Sequence, residues 1–258
     1  MSPFPRRLLT VTALALVLGA SHAGARSLTQ IRESGVLRVA TPGDIPPFTV
    51  GTEGGFGGFE IELVEELAGD LGVRVAYTRT RSDGLIQALQ EDRADVALGA
   101  LAHTSTRENR TDFTRPILCA GVSLVSLDAR LKETRQLAGK TIGVSAGTVM
   151  QAYVQKFPFE KRVLVFPTSE DLIMGVLTRS VDATFAYSAM QLAIRRQFPK
   201  VPVHFGPELW SVPIGLMLRE DNDSTRAALN AGLERLARTP AYGALMTKYF
   251  GKDMRCKG

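Results

Sequence analysis

The sequence predicts an α/β protein of two similarly wound lobes, and two observations carry that expectation. The first is an alternation of periods. Short apolar runs that read as strands are separated by segments whose apolar residues recur at helical spacing. A β-α-β-α-β order of this kind winds into a mostly parallel sheet with helices on both faces. The second is an internal echo. Leu85-Ile-Gln-Ala-Leu-Gln-Glu-Asp-Arg-Ala-Asp95, followed by Val-Ala-Leu, reads like Leu172-Ile-Met-Gly-Val-Leu-Thr-Arg-Ser-Val-Asp182, followed by Ala-Thr-Phe. Each is a helix, a tight polar turn, then an aspartate and a strand. An echo so far apart fits two lobes and not a short-period array.

The elements follow in order. Arg6-Arg7 precedes the apolar run Leu8 to Leu18, and small residues follow in Ser21-His22-Ala23-Gly24-Ala25. That order is a secretory signal, and the apolar run is shorter than the ~20 residues a membrane span needs. Cleavage is expected after Ala23 or Ala25. Val36 to Ala40 is a short strand. From Glu60 to Leu71, apolar residues fall at Ile61, Leu63, Val64, Leu67, Ala68 and Leu71, a helical period that Gly72 is placed to end. Val73 to Tyr77 alternates as a strand. Ser82-Asp83 is suited to open a second helix through Leu85, Ile86, Ala88 and Leu89. Ala94 to Leu101 reads as one apolar strand, and Thr141 to Val144 as a strand ahead of another helix. Helices are expected around Ser224–Leu236 and Pro240–Tyr249.

The bulk properties narrow the classes of function. With 258 residues, 45% hydrophobic and 22% charged, the chain has the ordinary composition of a globular protein and enough length for one large core or two small ones. The net charge of +5 includes Arg6 and Arg7 of the leader. No basic run carries interleaved aromatics, so nucleic-acid binding is not expected. His22, His103 and His204 form no cluster and no cysteine–histidine spacing suggests zinc, so neither a metal nor a cofactor is expected. Export permits a disulfide between Cys119 and Cys256, and the sequence leaves pairing and free thiols both open.

The chemistry-bearing stretch runs from Gly99 to Thr114. An apolar strand ends in a polar loop that presents Arg107, five residues before Asp112-Phe113. A guanidinium at a strand end forks onto a carboxylate with two parallel hydrogen bonds. In the second half, Gly147-Thr148 at a helix start offers N–H donors and a hydroxyl to an anion, or serves as an ordinary cap. Asp44, beside glycine and proline, is either an acidic partner for a ligand cation or an exposed turn residue.

The Gly99–Thr114 stretch resembles the signature of the family 3 extracellular solute-binding proteins. Leu37-Arg-Val-Ala-Thr41 with Pro46-Pro47-Phe48, Gly58-Phe-Glu-Ile-Glu-Leu63, and Gly139-Lys-Thr-Ile-Gly-Val-Ser-Ala-Gly-Thr148 are similar to further motifs of that family, in the same order. The resemblance implies the two-lobed periplasmic binding protein fold of type II, with a two-strand hinge near Pro116–Ser123 and Trp210–Met217. It divides the chain into a signal peptide (1–25), lobe one (26–118 and 212–258) and lobe two (119–211). It implies a periplasmic monomer that captures a small carboxylate-bearing ligand, an amino acid or related organic acid, for the permease of an ABC importer. A ligand-reporting receptor or accessory protein is the alternative.

The same resemblance assigns the ligand contacts. Arg107 clamps the carboxylate, with Gly147 and Thr148 opposite. Ala100 or Leu101 contributes only backbone, and Ala102 stands where a hydroxyl is usual. Ile45 and Ser82 stand where two aromatic rings normally sandwich the ligand. Tyr187 stands where an aspartate normally pairs with the ligand ammonium, which leaves Asp44 as the candidate substitute. These departures predict tolerance of a carboxylate lacking a free α-ammonium. Some relatives are cyclohexadienyl dehydratases, with a working glutamate just after the Gly-Thr pair. Here Val149-Met150-Gln151 carries no carboxylate, so no catalysis is expected. The leader makes the first prediction: intact mass of exported protein starts at Gly24 or Arg26, and a mature chain retaining Met1 through Leu18 contradicts it.

Overall fold

The computed structural model describes residues 25–256, so the expected leader, apart from Ala25, lies outside the described residues. Helix α1 (Leu28–Ser34) is entered through a capping box between Ser27 and Gln30. Strand β1 (Val36–Thr41) leads into an antiparallel ribbon of β2 (Asp44–Ile45), β3 (Thr49–Thr52) and β4 (Gly55–Gly57). Helix α2 (Phe59–Leu71) buries Ile61, Leu63, Val64, Leu67, Ala68 and Leu71, the stripe its period predicts. Gly72 closes it at φ 76°, a left-handed conformation that glycine alone adopts without strain. β5 (Arg74–Arg79) pairs in parallel with β1. A single 3₁₀ turn at Ser82–Gly84 then enters α3 (Leu85–Gln90). Neither Ser82 nor Asp83 caps that helix, and Asp83 pairs instead with Arg81 at 3.1 Å.

Strand β6 (Val96–Ala97) is shorter than the apolar run Ala94–Leu101, because Gly99 and Ala100 take φ values of 144° and 51° and turn the chain out of the sheet. α4 (Ser105–Glu108) and β7 (Thr111–Phe113) follow. The second half contains β8 (Leu118–Ser126), β9 (Thr141–Ser145), α5 (Val149–Gln155), β10 (Arg162–Phe166), α6 (Ser169–Leu177), β11 (Ala183–Tyr187), α7 (Gln191–Gln197) and β12 (His204–Ile214). β13 (Met217–Arg219), α8 (Asp223–Ala237) and α9 (Pro240–Phe250) end the described chain.

These strands make two five-stranded sheets with the same plan. The first has the order β5-β1-β6-β13-β7, and the second β10-β9-β11-β8-β12. In each, the first three strands are parallel and the remaining two run antiparallel to their neighbours. The chain leaves the first sheet after Phe113 and returns to it at Met217, so β13 completes a sheet begun long before it. β8 and β12 lie side by side, from Leu118 opposite Ile214 to Ser126 opposite His204.

The sequence echo has a structural counterpart. Asp95 Oδ2 accepts from the Arg38 N–H at 2.8 Å, and Asp182 Oδ2 accepts from the Thr141 N–H at 2.8 Å. Each aspartate also donates its own N–H back to the same residue's carbonyl, at 2.9 and 2.8 Å. The two turns before them carry matching positive φ angles, 55° at Asp92 and 62° at Arg179. The repeated aspartate thus ties the third strand in each order to the second, β6 to β1 and β11 to β9. In the first sheet the tie is reinforced: Asp95 is buried and also accepts from the side chains of Arg26 and Arg38.

Cys119, near the start of β8, is bonded to Cys256 across 137 residues of sequence. The Cys119 N–H also donates to the Met254 carbonyl at 2.9 Å, so the end of the chain is strapped to the strand that leaves the first sheet. Titration of unfolded, unreduced protein is expected to find no free thiol. Reduction, or Cys119→Ser with Cys256→Ser, is expected to lower unfolding free energy by roughly 2–5 kcal/mol in urea melts. Reactive thiols before reduction contradict the pairing.

Candidate functional site

The carboxyl ends of both sheets face a common cleft, the position at which open α/β sheets bind ligands. On the first side, the loop after β6 is held by its backbone. The Ala100 N–H donates to Glu60 Oε2 at 2.8 Å, and the Ala100 carbonyl accepts from the Tyr187 hydroxyl at 2.9 Å. Thr104 caps α4 and so fixes Arg107 on that short helix. The guanidinium reaches back to the Ala102 carbonyl through Nη1 at 2.9 Å and across the cleft to the Gly147 carbonyl through Nη2 at 3.0 Å. A guanidinium has five N–H donors. Those two hydrogen bonds leave three donors for a ligand. Burial pushes the Arg107 pKa down from its ordinary value, but a guanidinium stays charged at neutral pH.

Opposite Arg107, the Gly-Thr pair is used locally. The Gly147 N–H donates to Gln151 Oε1 at 2.9 Å, and the Thr148 hydroxyl donates to the Ser145 carbonyl at 2.8 Å while accepting from the Gln151 N–H at 3.3 Å. Gly147 also sits at φ 73°, where a Cβ would lie 2.7 Å from the Asp83 Cα. Only glycine lets the two lobes approach this closely. Val149 and Met150 open α5, so their N–H groups have no carbonyl within the helix, and both residues line the cavity.

Of the residues to which the sequence points, Arg107, Thr148, Ala100, Tyr187, Ser82 and Ile45 share one cavity between the lobes. Gly147 and Ala102 meet Arg107 only through their carbonyls. Asp44 is not in the cavity wall. Its Oδ2 accepts from the Ser169 N–H at 2.7 Å, at the start of α6, and it borders a neighbouring pocket with Glu170 and Ile173. Its Oδ1 is buried without a partner, and burial outweighs the N–H contacts of Ser169 and Glu170 in holding the carboxyl above its usual range.

Apart from Leu101, offered with Ala100 as a backbone contact, the rest of the wall was not legible in the motifs. Leu101, Val149, Met150, Leu172, Ile173, Phe185 and Met190 make it predominantly apolar, with Ser145, Ser169 and Thr184 as further polar members. Glu60, which no motif reading singled out, is fully buried behind Ala100. Its signal was present in the helical period, since Glu60, Val64, Leu67 and Leu71 lie on one buried face of α2. Glu60 Oε1 has no partner, and burial pushes this carboxyl up to about 7 against the opposing N–H groups of Ala100 and Gly99. Tyr187, packed on Phe48 with ring centroids 5.5 Å apart, is kept neutral by the same burial.

Comparison with known proteins agrees with this geometry. Residues 37–252 match the bacterial extracellular solute-binding proteins, family 3. The L-cystine-binding protein TcyJ of Escherichia coli (strain K12) is 26% identical over 254 residues, covering 96% of each chain. A cyclohexadienyl dehydratase of Pseudomonas aeruginosa is 31% identical over 179 residues, 67% of each chain. The structure of an ancestral arginine-binding protein bound to arginine superposes with a TM-score of 0.80 at 30% identity, covering 84% of this chain and 99% of that one.

Glu60 makes a pH prediction. Between the ordinary carboxyl value and about 7, the folded protein keeps the Glu60 proton and the unfolded chain has lost it. Stability from this group is therefore full at low pH and is lost as pH rises through 7, by on the order of 3 kcal/mol. In urea melts at pH 5 and pH 8, Glu60→Gln is expected to gain on the wild type as pH rises. A constant difference between the two proteins contradicts the shifted carboxyl.

Proposed function

The chain belongs to the bacterial extracellular solute-binding proteins of family 3, and on that premise we propose that it captures a small carboxylate-bearing ligand, an amino acid or related organic acid. The relatives named for cystine and arginine support the size of ligand and its carboxylate, not its side chain. The observation that carries the reading is Arg107, a cation with unused donors in the wall of a predominantly apolar cavity between two lobes.

The proposed mechanism is hinge closure. Residues 26–118 and 212–258 form one lobe, and 119–211 the other, with β8 and β12 at the crossing. The ligand carboxylate docks on Arg107, and the second lobe then closes. Closure brings the Gly147 carbonyl onto Arg107 Nη2, Gly147 against Asp83, the Tyr187 hydroxyl onto Ala100 and the Ser169 N–H onto Asp44. Water is excluded from the carboxylate clamp, and the closed face is what the permease of an ABC importer recognises. The protein works as a periplasmic monomer once its leader is removed.

Binding without catalysis fits the cavity wall. Among the described residues that line it, none is a carboxylate. The residues after the Gly-Thr pair are Val149, Met150 and Gln151, and Gln151 is held on the Gly147 N–H. A general acid would have to come from elsewhere.

Arg107→Ala is expected to weaken binding of a carboxylate ligand by roughly 2–5 kcal/mol, the usual effect of removing one member of a buried charge pair. Arg110→Ala is expected to change binding little, because Arg110 is exposed and donates to Gln90 at 3.2 Å, away from the cavity. Thermal-shift screening of amino acids and organic acids, then calorimetry on both variants, checks this. The reverse order of effects contradicts the assignment of Arg107.

A further inference from the structure

We propose that the ligand is a carboxylate with an apolar body and no ammonium group; this rests on capture at Arg107. The charge balance of the cavity carries the inference. Arg107 is the one formally charged residue among the described residues of the wall. An amino acid would bring its ammonium into the same space, where a buried cation needs an anionic partner.

Among the described residues, no carboxylate lines the wall to supply that partner. Glu60 lies behind the wall, with its Oε2 on the Ala100 N–H, and is absent from the lining. Tyr187 does line the cavity, but its hydroxyl donates to the Ala100 carbonyl, and a neutral phenol cannot balance an ammonium charge. Asp44 turns to the Ser169 N–H at the start of α6 and lies outside the cavity wall. Among the described residues of the wall, no carboxylate is present to answer an ammonium.

The body of the ligand meets apolar surface from both lobes: Ile45 and Leu101 on one side, Met150, Leu172, Ile173 and Met190 on the other. A polar or cationic side chain would lose its hydration against these groups without finding partners. A branched alkyl chain gains from the same contact by burying apolar area. Ser82 and Ser169 also line the cavity, and each brings a hydroxyl. They suit a single oxygen substituent beside the carboxylate, as in a 2-oxo or 2-hydroxy acid.

The test is calorimetry on the full exported protein with 4-methyl-2-oxopentanoate, its amino analogue leucine, arginine, and the uncharged 4-methyl-2-oxopentanamide. The oxo acid is expected to bind at least as tightly as leucine, at least 10-fold more tightly than arginine, and the amide at least 10-fold more weakly than the oxo acid. Tighter binding of leucine or arginine than of the oxo acid overturns the exclusion of ammonium and leaves capture at Arg107 standing. An amide that binds as well as the acid, or an Arg107→Met protein that unfolds cooperatively and still binds the acid with unchanged affinity, overturns the capture reading and this inference together. Binding of none of the four overturns the apolar-carboxylate class. Because the acid and amide are compared on the wild type, the result stands even where the Arg107 variant fails to fold.

Discussion

The Ala100 peptide lies buried between the lobes, at a φ of 51°, with neither its N–H nor its carbonyl paired in a sheet. A buried peptide group must find partners, and leaving it unpaired costs as much as a lost hydrogen bond. Glu60 supplies the acceptor from α2, and Tyr187 supplies the donor from the other lobe. This arrangement sets the path of the loop that carries Arg107. It also shapes what the cleft offers, since Glu60 stays behind the wall with one oxygen on the Ala100 N–H and the Tyr187 hydroxyl donates to the Ala100 carbonyl. Specificity thereby follows from a folding requirement: of the groups that steady the loop, Glu60 stands behind the wall and Tyr187, which lines it, is neutral.

The duplicated plan explains how so small a set of residues controls the cleft. Each sheet uses an aspartate before its third strand to lock that strand to the neighbouring second one, Asp95 on Arg38 and Asp182 on Thr141. The carboxyl ends of the two sheets are thereby fixed in similar registers and face one another. Polar contacts then cross the gap, among them Arg107 to Gly147, Tyr187 to Ala100 and Asp44 to Ser169. Gly147 permits the approach by having no side chain to meet Asp83. The disulfide acts at the other end of the crossing strands, where it secures the chain terminus without entering the site.

Local features were legible in the sequence because their causes are local. The stripe on α2, its stop at Gly72 and the repeated helix–turn–aspartate unit each depend on residues within a few turns of one another. The same holds for Arg107, since a cap at Thr104 fixes its helix. What escaped reading depends on residues distant in sequence. The Asp44–Ser169 contact spans 125 positions, and nothing near Asp44 distinguishes an exposed turn from a helix N-terminus in the facing lobe. The Gly147 N–H reads as a ligand donor until Gln151, one turn on, takes it. The run Ala94–Leu101 reads as one strand, and the backbone leaves the sheet only because Gly99 and Ala100 adopt positive φ. The apolar wall contributed by Leu172, Ile173 and Met190 emerges only when the second lobe is set against the first.

The account turns on one cation meeting one carboxylate in an apolar space, and a crystal structure grown with 4-methyl-2-oxopentanoate tests that most directly. The account predicts the carboxylate within about 3 Å of the Arg107 guanidinium, the first turn of α5 beside it, and the alkyl chain against Ile45, Leu172 and Ile173. A ligand whose carboxylate lies away from Arg107, or one seated in the neighbouring pocket beside Asp44 and Glu170, contradicts it.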